Sequence, residues 1–329
     1  MNLVERLLKG ETGALARAMT LVENGGKEAR EILKATFPHS GRALVIGVTG
    51  APGSGKSTLV DQLAKHTRRQ QKTVGIVAVD PTSPFTGGAI LADRLRMNTF
   101  HEDPDVFIRS MASRGQLGGL ASATSNVVSL LDAAGKELIF VETVGVGQDE
   151  VEIVKLADVS VVVLVPGMGD DVQAFKAGIM EIADVFVINK SDHAYVDKME
   201  KELQVALSMA RRPDGWTPPI VRTIATQSEG IGELMSEIAR FTEFFKSRKG
   251  SQDFKKIATE STIVNLLKEL LLEKAVEQQG AWDKIRAASK LVCDRQMDPY
   301  TAAESIIQNL GQSDSESSAD DGELAKRDK

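Results

Sequence analysis

The stretch Gly50-Ala51-Pro52-Gly53-Ser54-Gly55-Lys56-Ser57-Thr58 decides the fold. It is a complete Walker A loop, preceded by the apolar run Ala43-Leu44-Val45-Ile46 and followed by a stretch that can form a helix. Its glycines let successive backbone N–H groups turn inward on phosphate oxygens. Lys56 is placed to reach the outer phosphates, and the Ser57 hydroxyl to ligate a magnesium ion. The helix that follows adds the positive end of its dipole. Strand, loop and helix in this order make residues 50–58 a nucleotide-phosphate site.

Working outward, short β-branched runs alternate with longer amphipathic ones from about residue 41. Ala43–Thr49, Val74–Val79, Leu138–Val141, Val159–Val165, Val185–Ile188 and Ile220–Ile224 read as buried strands, with helices between them. The pattern predicts an α/β, doubly wound, mostly parallel sheet that binds its ligand beyond the carboxyl ends of the strands. Upstream, Leu3, Leu7, Leu8, Leu15, Met19 and Val22 fall at helical spacing, with a break at Gly25-Gly26 before Ile32 and Leu33. Two short helices are expected there. Past Gly250 the strand signal stops, and Ile263, Leu266, Leu267, Leu270 and Leu271 form an apolar helical stripe that needs a partner surface. A helix carrying Trp282, Ile285, Ala288 and Val292 follows, and another starts at Asp298-Pro299 with an N-cap and a first-turn proline. These helices can pack on their own domain or on a second subunit. From Gln312 the chain is rich in Ser, Asp and Glu, with almost nothing to bury. The expected organisation is an N-terminal helical extension (1–40), a P-loop domain (41–246), a C-terminal helical region (250–311) and a disordered acidic tail (312–329).

The 329 residues carry a formal charge of −6 and a single cysteine, Cys293. That balance gives no cationic field for nucleic acid or anionic membranes, and one thiol cannot close an internal disulfide. No apolar run reaches membrane-spanning length, and the start of the chain lacks a signal core. A cytoplasmic protein with protein or small-anion partners, and neither nucleic-acid nor membrane binding, is expected.

The base is read from Asn189-Lys190-Ser191-Asp192, an Asn-Lys-x-Asp pattern just after a strand. A carboxylate at Asp192 can accept two hydrogen bonds from the guanine ring N–H and exocyclic amine. Adenine would leave it unpaired, at about 1.5–3 kcal/mol per charged hydrogen bond. GTP or GDP is therefore the expected ligand. Ala225-Thr226-Gln227, ending the next strand, can supply backbone contacts to the guanine carbonyl. Asp80 and Glu142 both follow strands at the catalytic edge, where carboxylates can hold Mg2+ directly or through its waters. Asp93, beyond Gly87-Gly88, is a metal-site or switch candidate.

The blocks 47–58, Asp80-Pro81-Thr82-Ser83-Pro84, Thr86-Gly87-Gly88-Ala89-Ile90-Leu91, Glu142-Thr143-Val144-Gly145-Val146-Gly147-Gln148 and Pro166-Gly167-Met168-Gly169-Asp170-Asp171-Val172-Gln173 closely resemble the MeaB/ArgK family. These are bacterial GTPase chaperones of adenosylcobalamin-dependent methylmalonyl-CoA mutase. The resemblance implies a homodimer joined by C-terminal helices, Mg2+-dependent GTP hydrolysis, and control of cofactor loading and protection in the mutase. It also implies a metal site at Ser57, Asp80, Asp93 and Glu142, and a client-sensing loop over 167–178 that includes Asp170, Gln173 and Lys176. Residues 109–119 also resemble the family but less faithfully, since the family commonly has Arg-Pro-Ser-Pro before its Gly-x-Leu-Gly-Gly. Phe85 stands where a basic residue is common, and Ala92 where glycine is.

Phosphoryl transfer asks mainly for positioning and charge neutralisation. Lys56, the loop amides and Mg2+ supply most of this. Val146 follows Gly145 where Ras-like GTPases carry the water-orienting glutamine. Slow intrinsic hydrolysis is therefore expected, with Gln148, Lys176 and Arg114 as candidates for the missing group. Three other classes compete. A nickel-insertion GTPase expects clustered Cys and His, and the four histidines here are scattered. A small-molecule kinase, or an amino-acid transport ATPase, would use the same loop, but Asp192 argues for guanine. A deviant-Walker ATPase expects an extra lysine where this chain has Thr49 and Ala51.

Overall fold

The computed structural model describes residues 1–81, 100, 103–113, 119–143, 156–167, 182–209, 212–247 and 281–307, and parts of 259–273. At 80–81, 112–113, 119–122 and 281 it describes the backbone alone. Strands β1 (Leu44–Gly50), β2 (Val74–Pro81), β3 (Val106–Ser113), β4 (Leu138–Glu142), β5 (Val159–Leu164), β6 (Val185–Asn189) and β7 (Ile220–Thr223) form a seven-stranded sheet in the order β3-β2-β4-β1-β5-β6-β7. Every ladder is parallel. Strand order reverses around β1, which lies between β4 and β5, and this is where a doubly wound sheet opens a crevice at its carboxyl edge.

Six of the strands are those expected from their apolar runs. The seventh, β3, lacks such a run because Arg109 and Ser110 interrupt it, which an edge strand tolerates. Its Arg109 makes a bidentate ion pair with Glu23, Nε to Oε1 at 2.7 Å and Nη2 to Oε2 at 2.6 Å. Glu23 belongs to the second of three N-terminal helices, α1 (Leu3–Leu8), α2 (Thr12–Asn24) and α3 (Lys27–Thr36). Two were expected; the unforeseen break falls at Gly10, whose φ is +77°. Asn2 and Glu5 close a reciprocal capping box at the start of α1.

Helices cover both faces of the sheet. On one, α4 (Lys56–Arg69) and α7 (Ile231–Ser247) bury Leu59, Leu63, Leu234, Ile238 and Phe241 against Ile46, Val48, Ile76, Phe140 and Val161. On the other, α1–α3 and α5 (Gly119–Ala133) bury Leu7, Leu15, Met19, Val127 and Leu131 against Val45, Val77, Ile139 and Val141. Each such side chain contributes about 1.5–3 kcal/mol on burial. The buried carboxylate of Asp132, at the end of α5, accepts backbone amides of Gly41, Arg42 and Ala43 and so fixes the entry into β1. A third cluster packs α6 (Val196–Met209), through Met199 and Leu203, on Val162, Phe186 and Ile188.

Two Ala-Asp-Val triplets, 157–159 and 183–185, close successive parallel pairs in the same way. Asp158 donates its amide to Val45 O at 2.8 Å and accepts Val45 N at Oδ2 at 2.9 Å. Asp184 does the same with Ser160, at 2.9 and 2.8 Å. Burial pushes the Asp184 carboxyl up to about 6, although Ser160 N and the Arg212 guanidinium at 3.0 Å both favour its charge. The same burial works against the Arg212 charge; its bonds to Asp214 and the charge on Asp184 outweigh that and raise its pKa.

The chain divides into two compact units, Met1–Lys246 and Ser247–Lys329. In the second, the described residues of 259–273 are helical, α8 spans Ala281–Cys293, and a further helix covers 299–307. Asp298 caps that last helix as expected, accepting the amides of Tyr300 at 2.9 Å and Thr301 at 3.0 Å. Ile263, Leu267, Leu271 and Trp282 are exposed on this unit. The acidic tail from 312 lies outside the described residues. Among the described residues, no helix is long and apolar enough to cross a membrane.

Candidate functional site

The phosphate loop begins where β1 ends. Gly50 has φ +147°, and a Cβ there would lie 2.2 Å from the Val163 carbonyl oxygen of β5. Gly55, at the N-cap of α4, is left-handed at φ +89°, and a Cβ would lie 2.4 Å from Asn189 Nδ2. Both positions therefore exclude side chains, which is why the motif needs glycine there.

Lys56 is 6% exposed, and its ammonium donates to Gly50 O at 2.7 Å and Ala51 O at 3.0 Å. One residue on, the Ser57 hydroxyl donates to Glu142 Oε1 at 2.5 Å. Glu142 is itself 6% exposed and ends β4, beside β1 in the sheet. A hydroxyl and a carboxylate oxygen thus converge beside the phosphate loop. Such hard oxygen donors suit Mg2+, which keeps several of its waters. Behind them, Thr143 Oγ1 donates to Thr49 Oγ1 at 3.0 Å, and Thr143 N to Val48 O at 3.1 Å, so the chain leaving Glu142 is pinned to β1.

The Asn-Lys-x-Asp segment leaves β6 against the same loop. Asn189 donates from Nδ2 to Ser54 O at 2.8 Å, and its Oδ1 accepts from Thr223 Oγ1 and Ala225 N, both at 3.1 Å. Lys190, left-handed at φ +56°, donates from Nζ to Gly53 O at 3.1 Å. Asp192 is exposed beyond it. Ala225, Thr226 and Gln227 form a 3-10 turn after β7, and the adjoining Ser228 hydroxyl reaches Gln62 Oε1 of α4 at 2.6 Å. A single buried side chain, Asn189, therefore joins the phosphate loop to both segments expected to meet the base.

Of the residues expected from the sequence, the structure brings together Gly50 through Thr58, Glu142, Asn189, Lys190 and the 225–227 turn. Asp80 has its backbone in β2, paired with Ala112. Asp93, Arg114, Gln148, Asp170, Gln173 and Lys176 lie outside the described residues. Sequence reasoning missed the Thr49–Thr143 pair and the Gln62–Ser228 tie, which no motif announces. It also missed the rings of His193 and Tyr195, 5.6 Å apart and bordering Gly167.

A family model described as methylmalonyl Co-A mutase-associated GTPase MeaB matches residues 15–280. The chain belongs to the MeaB family. A putative GTPase of Pyrococcus abyssi is 48% identical over 314 residues, covering 94% of this chain and 96% of that protein. GTPase ArgK of Escherichia coli is 40% identical over 246 residues, covering 72% and 74%. Among solved structures, one described as a LAO/AO transport system kinase superposes with a TM-score of 0.68 at 28% identity, covering 94% of this chain and 96% of that one. The MeaB-family protein is thus a P-loop GTPase that binds guanine nucleotide and hydrolyses GTP to GDP and phosphate.

Proposed function

We propose that this MeaB-family GTPase is a Mg2+-dependent, cytoplasmic metallochaperone for an adenosylcobalamin-dependent acyl-CoA mutase of the methylmalonyl-CoA mutase class, and that its GTP cycle gates loading and protection of the mutase cofactor. The observation that carries this reading is the family match, which spans the phosphate loop, the 142–148 block and the start of the C-terminal helices. The exposed apolar residues Ile263, Leu267 and Leu271 support a homodimer joined through that region.

In this reading the backbone N–H groups of Gly53, Gly55, Lys56 and Ser57 and the Lys56 ammonium neutralise the phosphates, and Asp192 reads the guanine edge while the Lys190 stem lies along the base. Ser57 and Glu142, with Asp80 and Asp93, hold the magnesium ion, which supplies charge neutralisation at the outer phosphates when bound. Glu142, held by Ser57, positions the oxygen donors in advance of nucleotide, which lowers the reorganisation required during phosphoryl transfer. Gln148, Lys176 and Arg114 are the residues proposed to complete the catalytic arrangement when the client binds.

The test is single-turnover GTP hydrolysis by the full chain with and without purified methylmalonyl-CoA mutase, alongside co-elution of the two proteins. Slow hydrolysis that the mutase accelerates, with formation of a complex, supports the proposal. Fast turnover indifferent to the mutase overturns it.

A further inference from the structure

Ser54 is a residue of the phosphate loop whose side chain has no part in the proposed mechanism. It is fully buried, and its hydroxyl has no hydrogen-bond partner among the described residues. Its backbone, by contrast, is held at both ends. The amide donates to Ala51 O at 3.1 Å, and the carbonyl accepts from Asn189 Nδ2 at 2.8 Å. The side chain is 0% exposed, and a Cβ on Gly50 would sit 3.3 Å from Ser54 Oγ, so the hydroxyl packs close to the end of β1. Its backbone is meanwhile clamped from β6.

A buried hydroxyl that makes no hydrogen bond disfavours the conformation that encloses it, because in water it would be solvated. The clamped loop, with Gly53 and Gly55 at positive φ, is the conformation we assign to phosphate binding. Any opening that lets water reach Ser54 Oγ removes the cost, so the hydroxyl raises the free energy of the gripping loop relative to the opened one. Part of the affinity the loop could reach is forgone, and exit of the nucleotide is faster.

We propose that Ser54 is a positioning residue that sets the rate of guanine-nucleotide release, its buried, unpartnered hydroxyl holding the phosphate loop close to opening. The residue touches neither the phosphates nor the metal and acts through the loop backbone. The proposal rests on the chain's being a P-loop GTPase and is independent of the identity of the client.

The experiment measures release of a fluorescent methylanthraniloyl-GDP from the full chain into excess unlabelled GDP, for wild type, Ser54→Ala and Ser54→Cys, with single-turnover GTP hydrolysis on the same samples. The expected result is release slowed about tenfold in Ser54→Ala, a change equal to about 1.4 kcal/mol. Ser54→Cys, close in shape and only weakly polar, should fall between the two, and in both variants release should change more than hydrolysis does. The cysteine variant also keeps the test decisive if the alanine variant folds poorly. Unchanged or faster release in both variants overturns the proposal, since the hydroxyl would then be bonded to a trapped water or to the nucleotide itself. A change in hydrolysis with release unaltered overturns it too.

Discussion

The Asn189 side-chain amide donates to the Ser54 carbonyl oxygen across 135 residues of chain, at 2.8 Å. Its carbonyl end collects Thr223 Oγ1 and Ala225 N. The phosphate loop and the segments proposed to meet the base are therefore mechanically one unit. Asn189→Ala would leave three buried partners, one on the phosphate loop and two around the end of β7, unsatisfied, at about 1–3 kcal/mol for each such group. GDP affinity should fall at least tenfold with a lower Tm, both measurable by calorimetry. Wild-type affinity in the variant would show that the two loops hold their places separately.

Asp192 should decide the base. Asp192→Asn removes the charge that pairs with two guanine donors, so GTP binding should weaken about 100-fold, in keeping with a few kcal/mol for paired charged hydrogen bonds. Xanthine carries a carbonyl where guanine has the amine, and the asparagine amide can donate to it. Titration with GTP, XTP and ATP checks this, and undiminished preference for GTP would place base recognition elsewhere.

Glu142 should carry the metal dependence. In Glu142→Gln the shape is kept while a negative charge is lost beside Ser57, and Mg2+ prefers charged oxygen donors. The expected outcome is that Mg2+ no longer tightens GDP binding and that GTP turnover falls about 100-fold, the usual order for loss of one preorganised electrostatic group. Binding measured with and without EDTA separates the two effects; a variant that still tightens fully with Mg2+ would exclude Glu142 from the metal site.

Asp184 makes stability depend on pH. Its folded pKa of about 6 lies above the ordinary carboxyl value of 3.8. The folded protein therefore holds this proton more tightly than the unfolded chain, and the stabilisation is complete below pH 3.8 and lost as the pH rises through 6. The difference corresponds to about 3 kcal/mol at 1.36 kcal/mol per pKa unit. Relative to Asp184→Asn, wild-type stability in denaturant melts should decline from pH 4 to pH 7 and then level off. A difference that grows with pH instead would mean that the Arg212 charge governs the pair.

Sheet and phosphate loop were legible because each depends on a local pattern. Buried parallel strands such as Val159–Leu164 are continuous apolar runs, and a loop that admits no Cβ at Gly50 and Gly55 must spell glycine there. Strand β3 was not legible, since an edge strand needs no apolar run and can carry Arg109. Nor was the third N-terminal helix, because Gly10 breaks the periodicity without a turn dipeptide to mark it. The bonds that assemble the site link positions far apart in sequence: Ser57 meets Glu142, Thr49 meets Thr143, and Gln62 meets Ser228. The residue types at such positions are common, and only the folded arrangement distinguishes them. Asn189 was chosen from its motif as a nucleotide contact, and the geometry shows it fastening protein to protein.

The Glu23–Arg109 pair has a practical corollary for anyone wishing to prepare a minimal catalytic fragment. Cutting the chain ahead of β1 would strip Leu7, Leu15 and Met19 from the sheet face formed by Val45, Val77 and Ile139, and leave the Arg109 cation facing newly wetted hydrocarbon. The shortened polypeptide would be sticky and prone to precipitate, so the opening forty residues belong in any expression boundary drawn for this enzyme.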